Sequence, residues 1–410
     1  MATLTRPTQN TFGKIGPRGL ESILSKTGQL PKMELFIYSL TKKTTYKIDR
    51  FTNYNFSSSV LTPANAFSFG FAAPDGPPLH SIIKEGDTII MKANNYQFFT
   101  GTIDQTDVET DAQMGEKSQI NGRDFVGRLE DQDAVSIDSK YVPAENATID
   151  SALFTILKDT PFEPQNKVKK QDAPKGTSSF SVDVGETKLA CIQRYLDSLN
   201  CICWQDRLGR LVVGRPNMNQ QPKGTFILNR QTRKSNVISI KVTRSSTQIP
   251  NIYVPVWSGQ EQFQSVNPTL VRLENAAYGP NRLRKYGYRT PKAVVSSMPS
   301  AGAGQQFTDL NLLTTATAGS SSLIESMAKR EMARANVKEI TVQVVVPGHF
   351  NELGEPYQVD TMYYIDYDRG SLRRVMYCYS VDFSMDENGG QLTTLTFCRP
   401  GCIVSDIKAP

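Results

Sequence analysis

The pattern of apolar and polar positions predicts the same β unit twice, far apart in the chain. Residues 87–129 are predicted to form a strand, a tight turn, a long strand, a flexible loop and a strand, and residues 360–400 follow the same order at nearly equal spacing. The sequence Asp-Thr opens both stretches, at Asp87 and at Asp360. This repetition predicts two related β units in one chain.

Turn and loop residues separate the predicted strands of each unit. Asn94 and Asn95 suit the tight turn of the first unit, because asparagine tolerates positive φ. The second unit turns at residues 368–370. Polar segments at 110–117 and 386–390 are predicted to be the flexible loops.

Period-two alternation predicts further strands on either side of this pattern. Such strands are expected at Glu34–Leu40, around Phe67, Phe69 and Phe71, at Asn236–Val242 and at Lys338–Val346. In the long strand of the second unit, alternation predicts one apolar face. The residues expected on that face are Val375, Tyr377, Tyr379, Val381 and Phe383.

Between the two β units the periodicity becomes helical. Thr148 is a predicted N-cap, and the apolar positions after it form one helical stripe. A short strand is predicted at Ser179–Val184, a second helix from Glu186, and a hairpin over residues 201–214. A further helix is predicted at Leu323–Val337, within the second β unit.

These patterns divide the chain into five parts. The predicted parts are an arm at 1–32, a first β unit at 33–145, an α/β insert at 146–236, a second β unit at 237–403 with a mobile loop at 295–322, and a tail at 404–410. At 410 residues the chain is long enough for several hydrophobic cores.

Composition changes this picture little. The chain is 39% hydrophobic and 21% charged, as is usual for a soluble globular protein, and no stretch approaches the ~20 apolar residues of a membrane helix. The N-terminus lacks the apolar core of a secretory signal, so synthesis and assembly in the cytoplasm are expected.

The net charge of +6 is uneven along the chain. Residues 1–32 contain five basic residues and one acidic residue, which leaves a nearly neutral body. A body of this charge lacks the electrostatic footprint of a nucleic-acid-binding domain.

The sequence contains no recognised catalytic or nucleotide-binding motif, and we predict that the protein is not an enzyme. The two histidines, His80 and His349, are expected to be surface or turn residues. Cys201 and Cys203 lack further ligands at zinc spacing and are expected in a buried strand. The alternating acids are predicted to form a solvent-facing stripe, or a wall facing a negatively charged passenger; they are Asp104, Asp107, Glu109 and Asp111. No catalytic, cofactor-binding or metal-binding residues are therefore predicted.

Three stretches carry a more specific pattern. They lie at Ile120–Ser136, at Val182–Pro216 and at Val344–Pro400, and their turn glycines and strands follow one another in a fixed order. In that order and spacing they resemble the baseplate hub proteins of contractile phage tails, the Mu-like hub family, with relatives in phage-tail-like bacteriocins and injection systems. The resemblance spans residues 33–403. Tyr357 stands where the family pattern has tryptophan, and arm 1–32 has no counterpart.

The resemblance implies a mainly β (α+β) fold with two related tube-like β-barrel domains and a small α/β insert domain between them. It also implies a homotrimer whose barrels alternate around a pseudo-sixfold ring. One face would join the hexameric tail tube protein, and the other would carry the trimeric central spike protein. The remaining implied partners are other baseplate components, and tape-measure protein or DNA in the lumen without sequence-specific binding.

The leading hypothesis is therefore a structural hub in the baseplate of a virion tail, assembled in the bacterial host cytoplasm, without cofactor and without a membrane partner. Two alternatives stay open. A tail-associated cell-wall hydrolase needs two positioned acids or a metal site. A tail-tip host-binding protein needs exposed loop aromatics, and the predicted loop 295–322 holds only Phe307.

Overall fold

The computed structural model describes most of the two β units and of the insert. The described residues are 32–48, 51–72, 83–111, 115–134, 144–163, 165–175, 178–183, 185–229, 231–232, 234–245, 333, 337–386 and 390–403, together with three short strands at 252–256, 273–274 and 293–297. Arm 1–32 except Lys32, tail 404–410, His80 and nearly all of the predicted helix Leu323–Val337 lie outside them.

Seven strands and one short helix make up the first β unit. They are β1 (Met33–Ser39), β2 (Thr44–Ile48), β3 (Asn53–Ser59), β4 (Ala66–Ala72), β5 (Thr88–Ala93), β6 (Tyr96–Asp111), β7 (Gly115–Asp124) and α1 (Val126–Asp131). The predicted hairpin turn is confirmed, since Asn94 and Asn95 join β5 to β6 with φ of 47° and 67°. The alternating Phe67, Phe69 and Phe71 are buried on β4, as predicted.

The insert follows the predicted mixture of helices and strands. Its elements are β8 (Ala144–Ala147), α2 (Ile149–Ile156), a 3-10 turn (Gln165–Lys167), β9 (Val168–Gln171), β10 (Ser178–Phe180), α3 (Lys188–Ser198), β11 (Ile202–Gln205) and β12 (Leu211–Gly214). Thr148 caps α2 as predicted, because its Oγ1 accepts from the Ser151 N–H at 3.2 Å. The second helix begins two residues later than predicted, since Thr187 caps it through the Ala190 N–H.

The second β unit contains the remaining strands. They are β13 (Thr225–Asn229), β14 (Lys234–Ser235), β15 (Ser239–Arg244), β16 (Ile252–Val256), β17 (Leu273–Glu274), β18 (Ala293–Ser297), β19 (Ile340–Pro347), β20 (Thr361–Tyr367), β21 (Leu372–Asp386) and β22 (Gly390–Cys398). Strands β16, β17 and β18 form a small separate sheet. The predicted loop 295–322 lies outside the described residues except for its first three, which end β18.

Strand order confirms the repeat. In the first unit the neighbours run β2-β1-β5-β6-β7-β4-β3, and in the second they run β14-β13-β20-β21-β22-β19-β15. Every pairing in the two runs is antiparallel except β13 with β20, which is parallel. The two runs form one 14-stranded sheet, because β3 also pairs with β21. The fold is mainly β, as predicted, whereas closure of each unit into a barrel stays a prediction.

The hydrophobic cores follow the sheet. The largest core takes residues from both β units, and a second core packs α1, α2 and α3 against the strands of the insert. Burying such apolar surfaces contributes about 25 cal/mol per Å². Among the described helices, none has the length and apolar character needed to cross a membrane.

Two sequence predictions about strands are wrong in detail. The predicted loop 110–117 is shorter, because Thr110 pairs with Glu116 and Asp111 with Gly115, so that β6 and β7 extend their ladder.

Strand β7 then ends at Asp124, and the chain turns into α1. The Asp124 carboxylate favours this turn, since its Oδ1 accepts from the N–H groups of Val126 and Gly127 at 3.0 and 3.3 Å.

The single apolar face predicted for residues 375–383 is also wrong. A β-bulge between Cys378 and Ser380 inserts one extra residue into β21. A one-residue insertion exchanges the two faces of a strand. Tyr377 therefore packs in a smaller core at the second unit, whereas Val381 and Phe383 belong to the large shared core.

Candidate functional site

The most distinctive feature of the fold is the junction that joins the two β units. The first part of β21, up to Cys378, pairs with β20, and its last part pairs with β3 from Ser380 opposite Ser59 to Met385 opposite Tyr54. Tyr379 lies between these two parts of β21, and its carbonyl accepts from the Val60 N–H at 2.8 Å. The same edge of β21 thus pairs with β20 of the second unit along its first part and with β3 of the first unit along its last part.

Strand β3 is not among the strands predicted from the sequence. Its sequence, NYNFSSS, is rich in asparagine and serine, which are poor strand formers. The signal that could have found it is the alternation of Tyr54 and Phe56 with polar residues, since both side chains are buried.

Aromatic rings fill the junction. Phe56 of β3 stacks on Phe383 of β21 with 4.8 Å between ring centroids and 19° between planes. Phe98 and Phe99 of β6 lie within 6.3 Å and 5.9 Å of Phe56. Offset stacked and edge-on pairs of this kind add to the stabilisation by burial. The junction is therefore a packed core as well as a strand pairing.

His349 lies at this junction, and the prediction of a surface or turn histidine is wrong as to exposure. It follows β19 directly, yet only 1% of its surface is exposed. Its Nε2 lies 2.7 Å from the Tyr54 hydroxyl, and its Nδ1 lies 2.9 Å from Thr393 Oγ1. The sequence could not show this burial, because the neighbours come from β3 and β22.

The hydrogen bonds around His349 define its protonation. The Thr393 hydroxyl donates to the Gly348 carbonyl at 2.6 Å, so its oxygen accepts from His349 Nδ1–H, and Nε2 accepts from Tyr54. This chain is complete with a neutral imidazole. Burial accordingly lowers the pKa of His349 from 6.5 to about 3.

The pairing of β6 with β7 in the first unit matches the pairing of β21 with β22 in the second, residue by residue. In the first unit a bulge at Asp104 interrupts the pairing of β6 with β7, and in the second a bulge at Tyr379 interrupts β21 with β22. Both ladders end in the same way, with Asp111 opposite Gly115 and Asp386 opposite Gly390. The outer strands keep this register too, because Phe67 of β4 faces Gly122 and Val342 of β19 faces Phe397.

The repeated Asp-Thr opening also has a structural reason. Asp87 is buried, and its carboxylate accepts from the N–H groups of Leu40 and Lys84 at 2.9 and 3.0 Å. Asp360 accepts from the Asn217 N–H at 2.8 Å and from the Tyr377 hydroxyl at 2.9 Å. Each aspartate therefore fixes neighbouring chain segments at the start of its hairpin.

Asp360 additionally connects the second unit to the insert. Its Oδ2 accepts from Gln171 Nε2, at the end of β9, at 2.6 Å. Burial raises the pKa of Asp360, while the hydrogen bonds from Gln171, Asn217 and Tyr377 act in the opposite direction.

We expect Asp360→Ala to lower the free energy of unfolding by about 2–3 kcal/mol, because buried donors lose their acceptor. The φ of 56° at this position adds strain for alanine. Asp360→Asn is the matched control: asparagine keeps an acceptor oxygen and tolerates positive φ, so its effect should be clearly smaller. Urea unfolding followed by circular dichroism measures both variants, and equal losses would contradict the assigned role.

A cleft of about 350 Å³ opens beside Asp360, between the insert and the second unit. Two pairs of polar groups in its lining are hydrogen-bonded to each other: Arg210 Nη2 lies 2.6 Å from Asp206 Oδ2, and Gln171 Nε2 donates to Asp360. Trp204 and Tyr357 in its lining are buried core residues. The hydrogen bond between Gln171 and Asp360 in this cleft therefore connects the insert to the second unit.

The predicted acid stripe is exposed where the structure describes its side chains. Asp104 pairs with Arg123 at 2.7 Å, and Asp107 accepts from Asn121 at 3.1 Å. Glu109 is exposed on the same strand, and the side chain of Asp111 lies outside the described residues. The exposure of these three acids is as predicted, and it is compatible with both a solvent-facing stripe and a wall facing a negatively charged passenger.

The interpretation of the cysteines as buried residues is confirmed. Cys201 and Cys203 are 1% and 4% exposed, and all six cysteines are free thiols in the interior. Burial raises the pKa of Cys203 to about 12. Within the described ranges, no group of three or more histidine, cysteine, aspartate or glutamate side chains is arranged to hold a metal ion.

Comparison with known proteins relates this fold to phage tails. The chain aligns with the tail protein from Neisseria meningitidis MC58 with a TM-score of 0.70 and 16% identity, over 92% of this chain and 99% of that one. It aligns with the 43 kDa tail protein of prophage MuSo2 from Shewanella oneidensis with a TM-score of 0.68 and 16% identity, over 90% and 99%.

A more distant similarity extends to secretion systems. An E. coli component of the type VI secretion system, described as similar to the T4 bacteriophage tail proteins gp27 and gp5, aligns with a TM-score of 0.52 and 9% identity, over 88% of this chain and 77% of that one. No family model and no curated protein matches the sequence. The chain thus has the fold of phage tail proteins.

Proposed function

We propose that this protein is the structural baseplate hub of a contractile phage-type tail. As a homotrimer with pseudo-sixfold symmetry, it joins the hexameric tail tube to the trimeric central spike and encloses the central channel. The observation that carries this proposal is the repeat of one seven-strand order in two units of the same sheet.

The repeat supports the proposal for a geometric reason. A threefold object can meet a sixfold surface only if each chain presents two nearly equivalent patches. The equal bulges and equal ladder ends of β6 and β21 are such equivalent features. The E. coli structure supports the same role, since that component of the type VI secretion system is described as similar to the T4 bacteriophage tail proteins gp27 and gp5.

The proposed surroundings follow from this role. Each β unit forms a tube-like barrel domain, at 33–145 and 237–403, with the α/β insert at 146–236 between them in the chain; the sheet of the second unit also includes β13 and β14 from the end of that range. The basic arm 1–32 orders on an adjoining component of the baseplate, and the lumen takes tape-measure protein or DNA without sequence-specific binding. The protein acts in genome ejection as a passive structural part, without catalytic activity or cofactor.

Light scattering of the purified chain tests the proposal. We expect a mass close to three times 45.6 kDa, and images of the particle should show a central pore with a sixfold-like outline. A dimer, or a trimer without a pore, would contradict the hub. Addition of the tube protein from the same tail should then give a stacked complex that elutes ahead of either component.

A further inference from the structure

Two strand edges of the sheet have no partner in the described part of the chain. Strand β5 covers β6 only as far as Thr102, and Gly86 and Asp87 pair with Ile103. Beyond this point no described strand pairs with the edge of β6 at Gln105–Asp111. Among the described strands, β15 pairs with β19 alone, so its outer edge has no described partner either. Open edges are sites where another strand can add.

The pairing of β3 with β21 within the chain shows how such an edge is covered. The last part of β21 occupies the same place in the second unit as Gln105–Asp111 of β6 does in the first, and this part of β21 is covered by β3. In the strand order of the repeat, β3 corresponds to β15. The internal junction therefore joins a strand of the β15 type to a strand of the β6 type.

We propose that β15 of one copy of this chain pairs antiparallel with the open edge of β6 of a second copy. The interface repeats between chains the junction that β3 and β21 make within one chain. This inference rests on the proposed hub function, and it specifies which surfaces of the hub meet.

The internal junction also determines the register. Within the chain, Asp382 faces Ser57, Phe383 faces Phe56 and Ser384 faces Asn55. Because the two units share their ladder registers, the corresponding pairs can be read directly. Across the proposed interface, the pairs are Asp107 with Thr243, Val108 with Val242, and Glu109 with Lys241.

The side chains at these positions are complementary. Val108 is 39% exposed, whereas its counterpart Phe383 is buried and stacks on Phe56. Val242, the counterpart of Phe56, is only partly buried. Lys241 and Glu109 are exposed and opposite in charge, and such cross-strand pairs stabilise a sheet. Glu109 of the acid stripe would thus face Lys241 across the proposed interface.

This contact between copies is heterologous, because one copy contributes β15 and the other contributes β6. A head-to-tail contact of this kind closes into a ring when the rotation between copies permits. In a ring of three copies, three internal junctions alternate with three junctions between copies. That alternation produces the pseudo-sixfold arrangement of the proposed hub.

Disulfide cross-linking between two single variants tests the interface. Asp107 and Thr243 are both exposed, so replacing either one with cysteine should not disturb folding. The six native cysteines are buried and should not compete for the cross-link. Directly opposed residues lie within the Cα distance that a disulfide needs. After the two variants are mixed and oxidised, we expect a covalent dimer of one Asp107→Cys chain and one Thr243→Cys chain.

Two controls accompany the test. Ser239→Cys is exposed on β15 and lies four residues, about 13 Å, from Thr243, so its cross-link to Asp107→Cys should form at least about tenfold more slowly. The double variant Ser57→Cys, Asp382→Cys places the same pair at the internal junction and should form a disulfide within one chain.

The outcomes separate this inference from the proposed function. A trimer by light scattering without the specific cross-link would overturn the interface and leave the hub intact. The specific cross-link in an assembly of another size would support the interface and overturn the trimer. Equal cross-linking of Thr243→Cys and Ser239→Cys would overturn the interface, and a monomer without cross-linking would overturn both.

Discussion

Replacing Phe56 with alanine is expected to lower the free energy of unfolding by about 3–5 kcal/mol. Phe56 is 1% exposed and stacks on Phe383, so its removal leaves a cavity where the two β units meet. Denaturation in urea, followed by circular dichroism, measures the change. Hydrogen exchange should show faster opening in the last part of β21, because β3 no longer packs firmly against it.

A phenylalanine in a different environment provides the matched control. Phe154 on α2 is 77% exposed, and Phe154→Ala should change the free energy of unfolding by no more than about 0.5 kcal/mol. Similar losses for the two variants would contradict the view that the junction is a tightly packed core.

Acidification is expected to destabilise the protein through His349. In the folded state burial lowers the pKa of His349 to about 3, whereas the unfolded chain has the ordinary value of 6.5. Between these values the unfolded state binds a proton that the folded state excludes, so stability is complete above pH 6.5 and is lost as the pH falls. The loss through this group is about 2 kcal/mol by pH 5 and increases below it.

Replacing the imidazole separates this effect from the titration of carboxylates. His349→Gln should be less stable than the native chain at pH 7, because its amide cannot reproduce both ring hydrogen bonds. Its stability should nevertheless change much less between pH 7 and pH 5. The control is Phe383→Leu, whose ring lies 5.2 Å from His349: it should lower stability at every pH and keep the native pH dependence. Parallel pH profiles for all three proteins would contradict the assignment.

These two residues explain how the junction joins the two β units. Phe56 supplies apolar contact across β3 and β21, and His349 completes a hydrogen-bonded chain through Tyr54 and Thr393. The proposed contact between copies is built from smaller and more polar side chains, such as Val108 and Val242. We therefore expect the proposed contact between copies to be weaker than the internal junction.

The local patterns of the sequence were sufficient for the elements whose identity depends on neighbouring residues. Alternation predicted β4 and β19, helical spacing with Thr148 predicted α2, and Asn94–Asn95 predicted the hairpin turn. The duplicated order of strands was visible for the same reason, since β6, β7, β21 and β22 are long enough to show their period. These features follow from backbone preference and amphipathicity, which act over a few residues.

The tertiary structure alone decided where distant segments meet. Strand β3 is too polar to predict by itself and is a strand because β4 and β21 pair with its two edges. The bulge at Tyr379 exchanges the faces of β21, and no residue pattern marked it. His349 is buried because Tyr54 and Thr393, far away in sequence, surround it. Burial, register and edge pairing depend on contacts between remote residues, and a periodicity within one segment carries no information about them.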